Sequence, residues 1–267
     1  MTVHRLGYGA MRIVGEGVIG EPEDPQGARS VLRRAAELGV NFIDTADSYG
    51  PEVSERLIHE ALHPYADGLV IATKGGFERP GPGQWEPNGR PEHLREACEA
   101  SLKRLGLDTI DLYQLHVPDS KVPYEESIGA LRDLQQEGKV RHVGVSNVDE
   151  EQLARARAIV DVVSVQNRYS MSDRDTEPVL RVCERDELGF IPWFPLARGK
   201  LAEPGGPVDR VAEEHGASPS QVALAWLLRR SPVTMPIPGT SKVEHLEENL
   251  KSSEVNLTDE DMAALDA

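Results

Sequence analysis

The chain has 267 residues, with 45 acidic against 29 basic side chains and a formal charge of −16. That balance argues against broad attraction to nucleic acid or an anionic membrane surface, because phosphate recognition needs a basic face. No apolar run approaches the roughly 18 residues of a membrane span, no signal-peptide pattern opens the chain, and Cys98 and Cys183 lack metal-like spacing, which together predict a cytoplasmic protein with reduced thiols.

Short apolar runs alternate with helix-like windows along the whole length, the pattern of parallel βα units, and no shift of composition divides them. The expectation is one domain over residues 1–267 folded as a TIM-type (β/α)₈ barrel, an architecture for which this length is ordinary. Eight strand ends are placed near Gly9, Asp44, Lys74, His116, Ser146, Gln166, Trp193 and Pro238. In such a barrel the chemistry gathers at the C-terminal ends of the strands.

The run Gly15-Glu16-Gly17-Val18-Ile19-Gly20 fits the dinucleotide fingerprint G-x-G-x-x-G letter for letter. That motif works only between a strand and a helix start. Here Glu21-Pro22-Glu23-Asp24-Pro25 follows, which opens no helix at that point and would repel a pyrophosphate, so the motif is rejected. Next, Val40-Asn41-Phe42-Ile43 ends on Asp44, with Tyr49 five residues on.

His59-Glu60-Ala61-Leu62-His63 matches the zinc-protease pattern H-E-x-x-H. Leu57, Ile58, Ala61 and Leu62 explain the segment as an amphipathic helix stopped by Pro64, with the histidines on its outer side. Ala66 and Leu69 occupy the glycine and third-histidine positions of the extended motif. Zinc is therefore not expected.

Leu69-Val70-Ile71-Ala72-Thr73 then ends on Lys74, and the Gly- and Pro-rich stretch from Gly75 to Pro91 carries Phe77 and Trp85. Lying after a strand end, it is expected to wall a substrate pocket. Leu94, Ala97, Cys98, Ser101, Leu102 and Leu105 recur at helical spacing and give one apolar face. The run from Ile110 to Leu115 ends on His116. A second loop, Ala197 to Pro207, holds Arg198 and Lys200 and is a candidate cover for a phosphate. Ser218-Pro219-Ser220-Gln221 reads as an N-cap with a capping box. Near the end, Ile237-Pro238-Gly239-Thr240-Ser241-Lys242 precedes a helix, whose free N–H groups suit a phosphate.

Brought together, Asp44, Tyr49, Lys74 and His116 would form a carbonyl-reducing site. A tyrosine with its ordinary pKa of about 10 is a weak acid unless its phenolate is stabilised. Lys74 supplies the cation, and Asp44 holds a buried lysine charged and aimed. His116 can hydrogen-bond a carbonyl oxygen and orient it.

The stretch Val40-Asn41-Phe42-Ile43-Asp44-Thr45-Ala46-Asp47-Ser48-Tyr49-Gly50 resembles the aldo-keto reductase signature. Agreement continues at Thr73-Lys74, at Leu112 to His116, at Gly138 to Asn147 and at Val165 to Tyr169, nearly the whole chain. The resemblance implies NADPH-linked reduction of a small carbonyl substrate, NADH being the less expected donor. Tyr49 would give the proton, Lys74 and Asp44 would tune it, and His116 would orient the substrate with Trp85 beside it. It also implies that Ser146, Asn147 and Gln166 meet the nicotinamide carboxamide and that Trp193 stacks on the ring, where relatives carry tyrosine. Gly9, Met11, Asp44, Phe194, Leu196 and Lys200 complete that side.

At the phosphate end, relatives present a lysine and an arginine where this chain has Gly239 and His245. Lys242, Thr240 and Ser241 are the substitutes, while Glu248 and Asn249 match the pair that meets adenine. Relatives also carry a β-hairpin under the barrel, and only Met1 to His4 precede the first strand run here, so that hairpin is expected to be reduced or absent. Within the family, Arg5 to Met11 and Phe194-Pro195-Leu196 resemble a bacterial branch that includes pyridoxal reductases. Two alternatives stand beside this reading: a Schiff-base lyase using Lys74, and a regulatory barrel that binds NADPH and turns over slowly.

Overall fold

The computed structural model describes residues 2–196 and 206–266. In chain order its strands are β1 (Tyr8–Gly9), β2 (Phe42–Asp44), β3 (Val70–Gly75), β4 (Phe77–Glu78), β5 (Glu86–Pro87), β6 (Ile110–Leu115), β7 (Val140–Ser146), β8 (Val162–Arg168) and β9 (Gly189–Trp193). The helices are α1 (Pro25–Glu37), α2 (Val53–Leu62), α3 (Pro91–Leu105), α4 (Tyr124–Gln136), α5 (Glu150–Arg157), α6 (Glu177–Asp186), α7 (Pro207–His215), α8 (Pro219–Arg230), α9 (Val243–Leu250) and α10 (Asp259–Asp266). β1, β2, β3, β6, β7, β8 and β9 form one parallel sheet in that order, while β4 and β5 pair antiparallel as a separate hairpin.

The sequence explains these elements locally. All six residues of β3 are buried, as expected of a parallel strand covered on both faces. In α3 the buried residues are Leu94, Cys98, Ser101 and Leu105, the expected apolar face, and the helix stops at Gly106, whose φ of +65° is the left-handed cap that glycine favours. Ser218 accepts from Gln221 N and Gln221 reaches back, so α8 opens with the capping box read from its sequence. Gly15–Gly20 holds a 3₁₀ turn, Glu16–Val18, and a lone parallel bridge from Ile19 to Gly50, and the next helix is α1. No helix among the described residues is long and apolar enough to cross a membrane.

The eighth barrel position differs from expectation. Residues 233–238 occupy it without forming a regular strand. On one side Phe190 N donates to Val233 O (2.9 Å) and Met235 N to Phe190 O (2.7 Å). On the other, Gly7 N donates to Pro236 O (3.0 Å) and Gly9 N to Pro238 O (3.4 Å). The segment thus bridges β9 and β1 and closes the ring. Pro236 and Pro238 have no N–H to return, so the ladder is incomplete.

This seam makes Gly9 intolerant of a side chain, because a Cβ there would lie 2.5 Å from Ile237 O, a backbone atom. Gly9→Ala is expected to cost about 1–3 kcal/mol, the usual range for overpacking, read as a lowered urea midpoint with unchanged slope. At the opposite face, residues 2–7 contain no strand and so no hairpin. A cavity of about 870 Å³ opens there beside His4, Leu6, Leu38 and Leu250.

Candidate active site

Parallel register sets the site. Asp44 pairs with Gly9 on one side and Ala72 on the other, and Lys74 pairs with Gln114, so β2, β3 and β6 deliver Asp44, Lys74 and His116 to one rim. Tyr49 comes from the loop after β2, where Asp47 N donates to Lys74 O (3.2 Å) and Tyr49 N to Ala46 O (3.2 Å). Lys74 Nζ lies 2.7 Å from Asp44 Oδ1, 2.7 Å from Thr45 O and 3.5 Å from Tyr49 Oη. The four side chains are all buried, Lys74 completely. The His116 ring stands edge-on to Tyr49 with centroids 5.8 Å apart, and its Nδ1 faces Ser48 Oγ at 3.4 Å.

The electrostatics follow from burial and charge. Burial works against the Lys74 ammonium, but Asp44 and the Tyr49 phenol outweigh it and its pKa rises, so the lysine stays charged. Burial raises the Tyr49 pKa and Lys74 pulls it back, leaving a protonated phenol at neutral pH. Burial, reinforced by the cations of Lys74 and Arg79, pushes His116 well below its usual range, so its imidazole is neutral. Behind the rim, Thr73 donates to the fully buried Glu55 at 2.6 Å, and Arg104 Nε donates to the other Glu55 oxygen at 2.7 Å. This pairing ties α2 and α3 to the strand end that carries Lys74.

A set of amides surrounds the second oxygen of Asp44. Gln166 Nε2 donates to Asp44 Oδ2 at 2.8 Å, and Gln114 Nε2 approaches it at 3.4 Å. Gln166, which the resemblance assigns to a carboxamide, here fixes the Asp44 carboxylate. Asn147 Nδ2 donates to His116 O (2.9 Å) and Ser146 Oγ (3.1 Å), and its Oδ1 accepts from Trp193 Nε1 (3.0 Å). Ser146, Asn147, Gln166 and Trp193 thus lie together at the ends of β7, β8 and β9, with the Asn147 amide engaged by the protein itself. Phe194 lies beside Trp193, with ring centroids 6.3 Å apart.

The candidate phosphate end is more open. Gly239 abuts Gly9, since a Cβ on it would lie 2.7 Å from Gly9 O. Tyr8 Oη donates to Thr240 O at 2.6 Å, and Lys242 N donates to Thr240 Oγ1 at 3.1 Å, which shapes the turn before α9. Ser241, Lys242 and His245 are exposed on that turn and the first half of α9, and Met11 and Leu196 are half-buried. Glu248 is committed elsewhere: its Oε1 accepts from Ser218 Oγ at 2.5 Å, joining α9 to the start of α8. Asn249 is buried. Lys200 and Arg198 lie outside the described residues.

The stretch after Lys74, expected to wall a substrate pocket, holds the β4–β5 hairpin rather than an irregular loop. It sets Trp85 6.4 Å from Tyr49 and 6.2 Å from His116, and Phe77 4.7 Å from His116, all edge-on by ring centroids. Tyr49 and His116 are thus flanked by aromatic rings.

Sequence reading missed three residues. Gln114 lies inside a quoted motif, and only the register next to Lys74 exposes its place near Asp44. Arg12, an exposed residue just after β1, lays its stem over Gly239, the Cγ 3.3 Å from where a Cβ would stand. Arg79 joins three loops that are remote in sequence. His63 is exposed on the outer side of α2, as expected, while His59, its ring tilted against His63 with centroids 4.6 Å apart, is half-buried with Nδ1 3.1 Å from Leu105 O at the end of α3. Glu60 is paired with Arg29 and Arg56.

Comparison with known proteins agrees with this geometry. The chain is 50% identical over 266 residues to an uncharacterized oxidoreductase of Schizosaccharomyces pombe, covering 100% of this chain and 87% of that one. It is 44% identical over 271 residues to pyridoxine 4-dehydrogenase of Escherichia coli, covering 99% and 94%. Its structure superimposes with a TM-score of 0.83 on an aldo-keto reductase from Klebsiella pneumoniae solved with NADPH, at 27% identity and covering 99% and 90% of the two chains. The family model for aldo/keto reductases matches residues 5–267. With a ring of parallel strands, a lysine buried against a carboxylate and a tyrosine, and this match over nearly its full length, the chain belongs to the aldo/keto reductase family.

Proposed function

We propose that this protein is an NADP(H)-dependent oxidoreductase that reduces an aldehyde or ketone to the alcohol, with Tyr49 as proton donor. The observation that carries the assignment of roles is the placement of Lys74 Nζ between Asp44 Oδ1, Thr45 O and Tyr49 Oη. When bound, NADPH supplies the hydride. The residues present suit it: hydroxyl and amide groups of Ser146 and Gln166 match a neutral carboxamide, Trp193 offers an aromatic face, and Arg12, Lys242 and the Thr240–Ser241 hydroxyls offer donors to phosphate.

Tyr49 holds its proton until the carbonyl oxygen gains charge, then gives it up. Lys74 stabilises the phenolate left behind, and Asp44 keeps Lys74 charged throughout the cycle. With Nδ1 turned toward Ser48, the other nitrogen of His116 is free to hydrogen-bond the carbonyl oxygen. Trp85 and Phe77 exclude water and favour a flat ring. An aromatic aldehyde of the pyridoxal type fits this wall, and the likeness to pyridoxine 4-dehydrogenase supports it. A Lys74 Schiff base fits poorly, because an ammonium held by Asp44 is no nucleophile.

The test is NADPH oxidation against a panel of aromatic and aliphatic aldehydes and ketones, pyridoxal included, with NADH in parallel. The expected result is carbonyl-dependent oxidation, faster with NADPH and with aromatic aldehydes. NADPH binding without oxidation across the panel would favour the regulatory barrel instead.

A further inference from the structure

Arg79 follows directly on the short strand β4, and its guanidinium joins three separate segments. Nε donates to Gln84 O (2.8 Å), Nη1 to Val18 O (2.9 Å) and Ser48 O (3.1 Å), and Nη2 to Gly17 O (2.9 Å). Its central carbon sits 3.6 Å from the centroid of the Trp85 ring, within cation–π range. Four of the five N–H donors of the fork are therefore spent on backbone carbonyls, none on a carboxylate. The carbonyls belong to the Gly15–Gly20 turn, to the loop that bears Tyr49, and to the hairpin that bears Trp85.

The turn is shaped for this role. Gly17 and Val18 both have left-handed backbones, φ +68° and +60°. A β-branched residue is rarely found there, and this one is held by Gly50 N donating to Val18 O (3.3 Å) and Gly20 N to Gly50 O (2.6 Å). The glycine motif that failed as a dinucleotide site thus presents two successive carbonyls to one arginine.

We propose that Arg79 is a positioning residue for the reduction: it locks the Tyr49 loop, the 15–20 turn and Trp85 into one rigid rim, so that proton donor and substrate wall move as a unit. The proposal rests on the active-site reading above. Arg79 also adds a second cation beside His116, which otherwise faces Lys74, the Ser48 hydroxyl and the rings of Tyr49, Phe77 and Trp85.

Two variants separate clamp from charge. Arg79→Lys keeps the charge, but its point-like ammonium cannot span three segments. Arg79→Met loses both. With an aromatic aldehyde, both variants should raise KM by about ten- to hundredfold through misplacement of the wall, with a smaller fall in kcat. Only Arg79→Met should move the acid limb of the pH profile to higher pH, since removing a cation makes His116 easier to protonate. Amide hydrogen exchange of residues 15–20, 48–50 and 77–87, measured on the same proteins by mass spectrometry, should accelerate about tenfold or more in both variants, as expected of a lost local tether.

Wild-type KM together with unchanged exchange in both variants would overturn the proposal. Exchange accelerated in the hairpin alone would also overturn it, because the three segments would then not be coupled. If the wild type reduces no carbonyl, the functional reading fails, and the exchange data still decide whether Arg79 is the tether.

Discussion

Tyr49→Phe is expected to lower kcat by about two to four orders of magnitude, the usual contribution of a positioned general acid, with NADPH affinity unchanged. The substitution removes one oxygen and keeps the ring, so the edge contacts with Trp85 and His116 survive. Ser146, Asn147 and Gln166, the residues proposed to meet the cofactor, are untouched. Loss confined to kcat is the signature of an interaction made in the transition state. Steady-state kinetics with fluorescence titration of NADPH measure both quantities. A variant with wild-type kcat would remove Tyr49 from the reaction, and a variant that no longer binds NADPH would assign it to the cofactor.

Lys74→Met has the larger effect on the fold. Asp44 is only 2% exposed and Lys74 fully buried, so removing the cation strands a carboxylate whose Oδ1 has lost its ammonium. Breaking one side of a buried pair costs about 3–5 kcal/mol, against a total stability of about 5–15 kcal/mol for an ordinary domain. Adding Asp44→Asn should return much of that loss, because no buried charge then remains unpaired, whereas reductase activity should stay lost. Urea denaturation of the two single variants and the double variant forms the cycle. Additive destabilisation would mean that the two groups are not coupled.

The lysine, carboxylate and tyrosine are legible in the sequence because strand ends are read from apolar runs, and a parallel barrel forces consecutive ends onto one face. The same logic puts Trp85 on the face that carries Tyr49 and His116, and its ring stands edge-on to both. It misplaced the last strand: Pro236 and Pro238 permit extended backbone but not a full ladder, so the eighth position is held by alternate bonds to Gly7, Gly9 and Phe190. Glu248 matched a family position, yet its carboxylate accepts from Ser218, a contact between α9 and α8 that no local pattern reveals. Arg79 was invisible for a related reason. Its partners are carbonyls at residues 17, 18, 48 and 84, and a carbonyl carries no sequence signal. The rejected glycine motif shows the converse, since its letters matched and its surroundings did not.

The most direct test of hydride transfer to a carbonyl in this site is the isotopic composition of the product. Enzyme, an aromatic aldehyde and NADPH deuterated at the transferable C4 position are incubated, and the alcohol is analysed by mass spectrometry. The account predicts one deuterium on the former carbonyl carbon with the wild type, and product formation slowed by about two to four orders of magnitude in Tyr49→Phe. Product without deuterium, or borohydride trapping of the substrate on Lys74, would contradict it.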